Sequence, residues 1–177
     1  MHMPKLNNEF ILEPLSWENL DETIAMANAI FPYNRSATRG PEYSYRMHLK
    51  DPAYRGEARY RRIGYSEFYL VRESHTGQPA GVIGYLVYYG KQGWPTAWLR
   101  WFGVSPDFRG RGLGTLTLKW VEKRLLKKGF TSIKLFGSSR RCERSAQAMY
   151  ESRGYRVFRT NYTRDAPRRV FIRRKML

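Results

Sequence analysis

The chain has 177 residues, enough for one compact domain with a hydrophobic core and too few for two domains of ordinary size. Apolar residues make up 42% and charged residues 27%, a balance that excludes a disordered or collagen-like chain. The 32 Lys and Arg residues outnumber the 15 Asp and Glu residues and give a formal net charge of +17. Such an excess predicts an anionic partner.

The positive charge is concentrated in one half of the chain. Residues 1–88 contain 10 basic and 10 acidic side chains, whereas residues 89–177 contain 22 basic and 5 acidic ones. No apolar stretch approaches the roughly 20 residues of a membrane span, and the N-terminus lacks a secretory pattern, so we expect a cytoplasmic protein with no membrane partner. The single cysteine, Cys142, excludes an internal disulfide, and the dispersed His2, His48 and His75 predict no metal site.

The first half alternates strands and helices. Residues 9–15 predict a strand, and Ser16 is expected to cap a helix that Pro32 ends. A second helix is predicted over residues 41–50 and a loop over residues 51–62. Residues 68–73 and 80–89, rich in β-branched and aromatic residues, predict an antiparallel hairpin.

The second half continues this alternation. After a turn at residues 90–95 we expect a strand over residues 97–104, a glycine-rich segment, and a helix with Gly114, Leu118, Val121 and Leu125 on one face. A strand over residues 131–136, a helix over residues 143–153, and strands over residues 155–160 and 169–175 complete the chain. The order predicts a mixed α/β sheet.

The segment most informative about chemistry runs from Val104 to Thr115, between a strand and a helix. Its glycines let the backbone approach a ligand, and N–H groups at a helix N-terminus suit a pyrophosphate. No Lys follows the last glycine, which excludes a Walker loop, and Thr115 stands where a dinucleotide motif has its third glycine. On the glycines alone, a turn without a ligand is an equal alternative.

These residues resemble the GNAT superfamily of N-acyltransferases, whose acetyl-CoA signature is R/Q-x-x-G-x-G/A after a strand ending in V-x-P. Arg109, Gly112 and Gly114 fit the signature, and Val104 and Pro106 fit the strand end. A second segment, residues 145–155, looks like the A-x-x-x-Y-x-x-x-G-F/Y segment of the same superfamily.

The resemblance implies a single domain with a mixed, mostly antiparallel sheet flanked by helices on both faces. Residues 1–96 would form the acceptor side and hairpin, and residues 97–177 the acetyl-CoA-binding half. The implied function is an N-acetyltransferase that moves an acetyl group from acetyl-CoA, its cosubstrate, to a primary amine of a protein or small molecule, without a metal.

The resemblance also implies site residues. Backbone groups of Phe102, Gly103 and Val104 would hydrogen-bond pantetheine. The signature residue Arg109 and the segment that follows it would hold the pyrophosphate; this segment consists of Gly110, Arg111, Gly112, Leu113, Gly114 and Thr115.

Tyr150 matches the tyrosine that would protonate the leaving sulfur as general acid, and a packing role is its alternative.

The general base is where the chain departs from the superfamily. Residues 98–101 contain no carboxylate, and Ser138 and Glu143 replace a glutamate and an asparagine of ribosomal-protein members. Glu67 on the preceding hairpin is the candidate base, with a solvated strand glutamate as the alternative reading of this residue. A water chain or an amine that is already neutral would also suffice.

A second class of function rests on composition alone. Coenzyme A carries only a few negative charges and does not account for +17, so a module that binds RNA, DNA or ribosomes is the alternative. The two functions combine if the acceptor is an acidic or nucleic-acid-associated protein. The sequence does not indicate the oligomeric state.

Overall fold

The computed structural model describes residues 3–33, 40–54, 63–88, 96–162 and 169–177. These residues form a mixed sheet with strands β1 (Phe10–Pro14), β2 (Ile63–Glu73), β3 (Pro79–Tyr88), β4 (Thr96–Val104), β5 (Ser132–Ser138), β6 (Arg156–Tyr162) and β7 (Arg169–Met176). Their α-helices are α1 (Leu20–Ile30), α2 (Pro41–His48), α3 (Leu113–Lys127) and α4 (Arg144–Ser152). None of these helices is long and apolar enough to cross a membrane.

The chain divides into two compact units. The N-terminal unit comprises residues 1–91 and 100–120, and the C-terminal unit comprises residues 92–99 and 121–177. Strand β4 and helix α3 each contribute residues to both units. The loop after β4, which carries the glycine segment, therefore belongs to the N-terminal unit.

In the N-terminal unit, antiparallel strands carry helices on both faces. Strand β2 pairs with β1 and with β3, which confirms the predicted hairpin. Phe68 and Leu70 of β2 join Ala27 of α1 and Tyr45 of α2 in one core cluster. Because successive strand residues face opposite sides, Tyr69 points the other way, where its ring centroid lies 5.1 Å from that of Trp120 in α3. The apolar alternation of β2 thus provides contacts for helices on either side.

In the C-terminal unit the strand order is β4-β5-β7-β6. The β4–β5 pair is parallel, and the β5–β7 and β6–β7 pairs are antiparallel. Helices α3 and α4 lie over one face of these strands: Glu122 of α3 binds Lys175 of β7 at 3.0 Å, and Gln147 of α4 binds Arg173 of the same strand at 2.7 Å. One parallel pair among antiparallel ones confirms the expected mixed sheet.

Several element bounds differ from the sequence predictions. Helix α1 starts at Leu20, and the predicted cap at Ser16 is wrong. The Asn19 side chain accepts a hydrogen bond from the Ser16 N–H at 2.9 Å and donates one to the Pro14 carbonyl at 3.0 Å, which closes a turn before the helix. Strand β2 is longer than predicted and begins at Ile63. The turn expected at residues 90–95 lies outside the described residues.

Strands β3 and β4 approach each other closely at two glycines. A Cβ at Gly81 would lie 2.5 Å from the Gly103 carbonyl oxygen and 3.3 Å from the Val104 Cα. Both obstacles are backbone atoms, so no side-chain rotation relieves the overlap. The missing side chain of Gly81 therefore permits β3 to lie this near to β4, whereas a Cβ at Gly103 would instead meet Ile30 and Phe31.

We expect Gly81→Ala to lower the free energy of unfolding by about 1–3 kcal/mol, because the strands must separate to admit the methyl group. Urea denaturation measures the change. Ser74→Ala in the exposed β2–β3 turn is the control and should change stability by less than about 0.5 kcal/mol. Equal stability of the two variants would contradict the close approach.

Candidate functional site

The glycine segment (residues 109–114) leaves its backbone bare at Gly110 and Gly112, just before α3. Gly110 and Gly112 adopt φ values of +77° and +72°, a left-handed conformation that favours glycine. A Cβ built at either position meets no atom of the described structure within 4 Å. The first N–H groups of α3 have no acceptor within the helix and lie at its positive pole. This geometry suits an anion that contacts the backbone directly.

The two arginine side chains of the segment contact protein groups. The Arg109 Nε donates to the Val104 carbonyl at 3.2 Å, across the end of β4. Arg111 binds Glu73 at 3.1 Å, and its guanidinium lies 5.3 Å from the centroid of the Phe108 ring. The Arg111 side chain thus anchors the loop to strand β2. Its backbone N–H is the group that would contact a ligand.

Strand β4 contains a left-handed residue that the sequence analysis missed. Trp101 has a φ of +47°, and the alternation of buried and half-buried residues along β4 ends there. Its indole N–H donates to the Ser44 hydroxyl at 2.8 Å, and its ring contacts Phe31 edge-on at 5.7 Å. Such a conformation costs about 1–3 kcal/mol and persists because these contacts hold it. The residues expected to bind pantetheine, residues 102–104, follow this irregularity directly.

Glu67 is surrounded by phenolic hydroxyl groups on one face of the hairpin. Its carboxylate accepts hydrogen bonds from Tyr69 at 2.7 Å, from Tyr85 at 2.6 Å, and from Tyr65. Burial raises the pKa of Tyr85, and the hydrogen bond to Glu67 and the charge of that carboxylate raise it further, so the phenol is neutral at physiological pH. The alternation Tyr65, Glu67, Tyr69 is visible in the sequence, but the pairing with Tyr85 required the strand register.

His48 lies on the opposite side of β2 from Glu67. Its Nδ1 is 2.9 Å from the Ser66 hydroxyl, and its ring contacts Phe68 edge-on at 5.5 Å. Burial lowers the pKa of His48, so its imidazole is neutral at pH 7. The sequence predicts no partner for His48, because no local pattern brings α2 against β2.

Tyr150 lies in α4 of the C-terminal unit and is 7% exposed. Burial raises its pKa, and the charge of Glu143 adds to the rise, so its phenol keeps its proton at neutral pH. Its ring lies 5.8 Å from that of Tyr155, and its carbonyl accepts the Tyr155 N–H at 2.9 Å. A protonated phenol can act as a general acid. The burial of Tyr150 fits a packing role equally well.

Glu143 ties the end of β5 to the start of α4. Its carboxylate accepts hydrogen bonds from the Ser138 N–H at 2.6 Å and from the Ser138 hydroxyl at 2.5 Å. These two residues replace a glutamate and an asparagine of ribosomal-protein members, and in this structure they bind each other. A cavity of about 290 Å³ is lined by Ser138 together with three arginines, Arg140, Arg144 and Arg173, and the carboxylate residue Glu151.

A mixed α/β sheet with a glycine-rich loop between β4 and α3 is the arrangement expected of an acyl-coenzyme-dependent transferase. The sequence matches the acetyltransferase (GNAT) family over residues 27–155, and the chain belongs to this family. A search of curated proteins returned no match. The family uses acetyl-CoA, and these findings confirm the resemblance, the α/β fold class and the acyltransferase activity.

Solved structures of acetyltransferases share the fold. An acetyltransferase from Salmonella typhimurium that modifies the N-terminal serine of ribosomal protein L7/L12 has a TM-score of 0.68 and 11% identity, with 99% of each chain covered. The ribosomal-protein-S18-alanine N-acetyltransferase from Escherichia coli has a TM-score of 0.63 and 18% identity, with 94% of this chain and 93% of that chain covered. Mutant forms of a spermidine/spermine N-acetyltransferase from Vibrio cholerae have a TM-score of 0.65 and 14% identity, with 96% and 95% covered.

We expect Glu67→Gln to lower the free energy of unfolding by about 1–3 kcal/mol, because an amide offers one acceptor oxygen where the carboxylate offers two to its phenolic donors. Chemical denaturation measures the loss. Glu18→Gln, at an exposed position before α1, is the control and should be nearly neutral. An unchanged stability in Glu67→Gln would show that the phenolic hydrogen bonds contribute little.

Proposed function

We propose that this acetyltransferase moves the acetyl group of acetyl-CoA to a primary amine, and that Arg109 and the backbone N–H groups of residues 110–115 hold the coenzyme's pyrophosphate. The observation that carries the proposal is the bare, left-handed backbone at Gly110 and Gly112 directly before α3. Open space where a Cβ would stand fits a ligand that contacts the main chain. The positive pole of α3 supplies the charge complement.

The reaction is a direct transfer. The lone pair of a neutral amine attacks the thioester carbonyl, a tetrahedral oxyanion forms, and its collapse breaks the carbon–sulfur bond. The amine loses one proton to a base, and the departing sulfur takes one from an acid. A backbone N–H near Val104, after the irregular turn of β4 at Trp101, is our candidate for stabilising the oxyanion, because a fixed dipole needs little reorganisation.

Tyr150 is the proposed acid and Glu67 the proposed base. The raised pKa of Tyr150 supports the first role, because the phenol is protonated when the thiolate forms. Glu67 would receive the amine proton through the hydroxyl group of a tyrosine that donates to it. Tyr65 would accept the proton from the amine and pass its own to Glu67, because it is exposed to solvent. A water chain or a neutral amine remains a sufficient alternative to Glu67.

The acceptor is proposed to be an amine on an acidic or nucleic-acid-associated protein. The support is the +17 charge, together with the fold shared with enzymes that modify ribosomal proteins. The spermidine/spermine enzyme of the same fold keeps small amines as the second candidate. A cytoplasmic location, the absence of a metal, and the division of roles between residues 1–96 and 97–177 stay predictions.

We expect acetyl-CoA to raise the melting temperature, since a ligand at about 100 times its Kd stabilises the native state by roughly 2.7 kcal/mol. Gly112→Ala should weaken this rise, because its Cβ enters the open space and its φ is strained. Gly77→Ala is the matched control, since Gly77 has the same φ of +72° and equally open surroundings in the β2–β3 turn. Equal coenzyme affinity in the two variants would contradict binding at residues 110–115.

We expect Tyr150→Phe to lower kcat by about 10²–10⁴-fold with little change in coenzyme affinity, because the leaving thiolate loses its proton donor. Steady-state release of coenzyme A with a panel of amines and peptides measures the effect. Tyr155→Phe removes the hydroxyl of the neighbouring buried ring and controls for packing. Parent-like turnover in Tyr150→Phe would remove this residue from the mechanism.

A further inference from the structure

The face of the C-terminal sheet turned away from α3 and α4 carries aromatic rings among cations. Trp98 pairs with Lys134 across β4 and β5, and Lys134 pairs with Arg174 across β5 and β7, so the three side chains share one face. Lys175, the residue after Arg174, points to the other face and binds Glu122 of α3. The open face is thus separate from the helix-covered one.

Three aromatic rings and two cations form a connected cluster on this face. The Trp98 and Phe136 rings are stacked, with centroids 4.9 Å apart and planes 23° apart. The Lys134 ammonium lies 5.5 Å from the Trp98 centroid and 5.2 Å from that of Phe158, and the Arg174 guanidinium lies 5.3 Å from the Phe158 centroid. We call this set of Trp98, Lys134, Phe136, Phe158 and Arg174 the aromatic–basic face.

Two of the three aromatic rings of this face are open to solvent. Phe136 is 47% exposed and Phe158 is 50% exposed, although both are large apolar side chains on strands. Strand β7 lies between β5 and β6, so the strands that carry the two rings are about 10 Å apart, the width of two strand spacings. Their separation allows each ring to contact a different group of one extended ligand.

The described carboxylates of the C-terminal unit bind groups that lie away from the aromatic–basic face. In the described part of the C-terminal unit, Glu122 binds Arg153 and Lys175, Glu143 binds Ser138, and Glu151 binds Arg173. Each of these carboxylates is therefore engaged away from the aromatic–basic face. Arg156 and Arg159 of β6 add exposed cations beside it.

We propose that the aromatic–basic face binds single-stranded RNA, with Phe136 and Phe158 stacking on bases while Lys134 and Arg174 contact phosphates. Exposed rings recognise the flat faces of unpaired bases, and neighbouring cations neutralise the backbone. An acidic peptide would use the cations but not the rings, and a duplex hides the faces of its bases. Among nucleic acids, RNA commonly presents splayed bases in loops and ends.

The test measures binding of fluorescently labelled oligouridylate and oligoadenylate by the full-length protein, by anisotropy at several salt concentrations. Phe136→Ala with Phe158→Ala should weaken binding at least tenfold while leaving the salt dependence unchanged, because each stacked base contributes about 1–3 kcal/mol. Phe136→Leu with Phe158→Leu keeps apolar volume without the rings and should weaken binding similarly. An unchanged acetyl-CoA-induced shift in melting temperature verifies that each variant is folded.

A matched charge experiment locates the phosphate contacts. Lys134→Gln with Arg174→Gln should weaken binding and reduce the slope of log K against log salt by about 1–1.5, because each phosphate on a single strand contributes about 0.7. Lys123→Gln with Lys127→Gln removes the same charge from exposed positions of α3, on the helix-covered side, and should have a smaller effect. Equal effects of the two pairs would overturn the proposal in favour of diffuse attraction.

Competitors decide the class of partner. Unlabelled single-stranded RNA should displace the probe more effectively than duplex RNA or polyglutamate of equal charge. Equal displacement by polyglutamate would overturn the proposal in favour of an acidic protein partner. Equal binding of single-stranded DNA would overturn the choice of RNA.

Discussion

The conformation of β4 is the constraint on which the candidate site depends. Trp101 is held at a positive φ by a hydrogen bond to Ser44 of α2 and an edge-on contact with Phe31 beyond α1. The close approach of Gly81 to Gly103 then sets the distance between β3 and the last residues of β4. The glycine segment begins directly after these residues, so its position depends on packing contributed by both N-terminal helices.

The two units differ in how their charged side chains are paired, as the two halves of the sequence differ in net charge. In the N-terminal unit, carboxylates pair closely with arginines: Arg72 binds both Glu13 and Glu22, and Arg111 binds Glu73. In the C-terminal unit, the described carboxylates bind groups that lie under or beside α3 and α4. The cations of the open sheet face lie beside aromatic rings, where an anionic ligand with flat bases would satisfy both kinds of group.

Much of the fold could be predicted from local patterns. The hairpin β2–β3 followed from runs of β-branched and aromatic residues, and α3 followed from its apolar stripe and its terminal glycines. The predicted cap of α1 at Ser16 was wrong because the Asn19 side chain binds the Ser16 N–H and the Pro14 carbonyl, which holds the residues before Leu20 in a turn. Strand β2 begins earlier than predicted because its first residues pair with β3, where Tyr85 engages Glu67, and this pairing is not a local property of the sequence.

By itself, the sequence determined the family, the mixed sheet and the location of the glycine segment proposed to bind pyrophosphate, because glycine spacing and strand–helix order are local properties. Tertiary structure alone decided the left-handed Trp101, the hydroxyl cluster around Glu67 and the aromatic–basic face. Each of these joins side chains from different strands or helices, and no local pattern encodes the register that brings them together. The +17 charge is a property of composition. The aromatic–basic face is open because α3 and α4 pack on the opposite face of the C-terminal sheet.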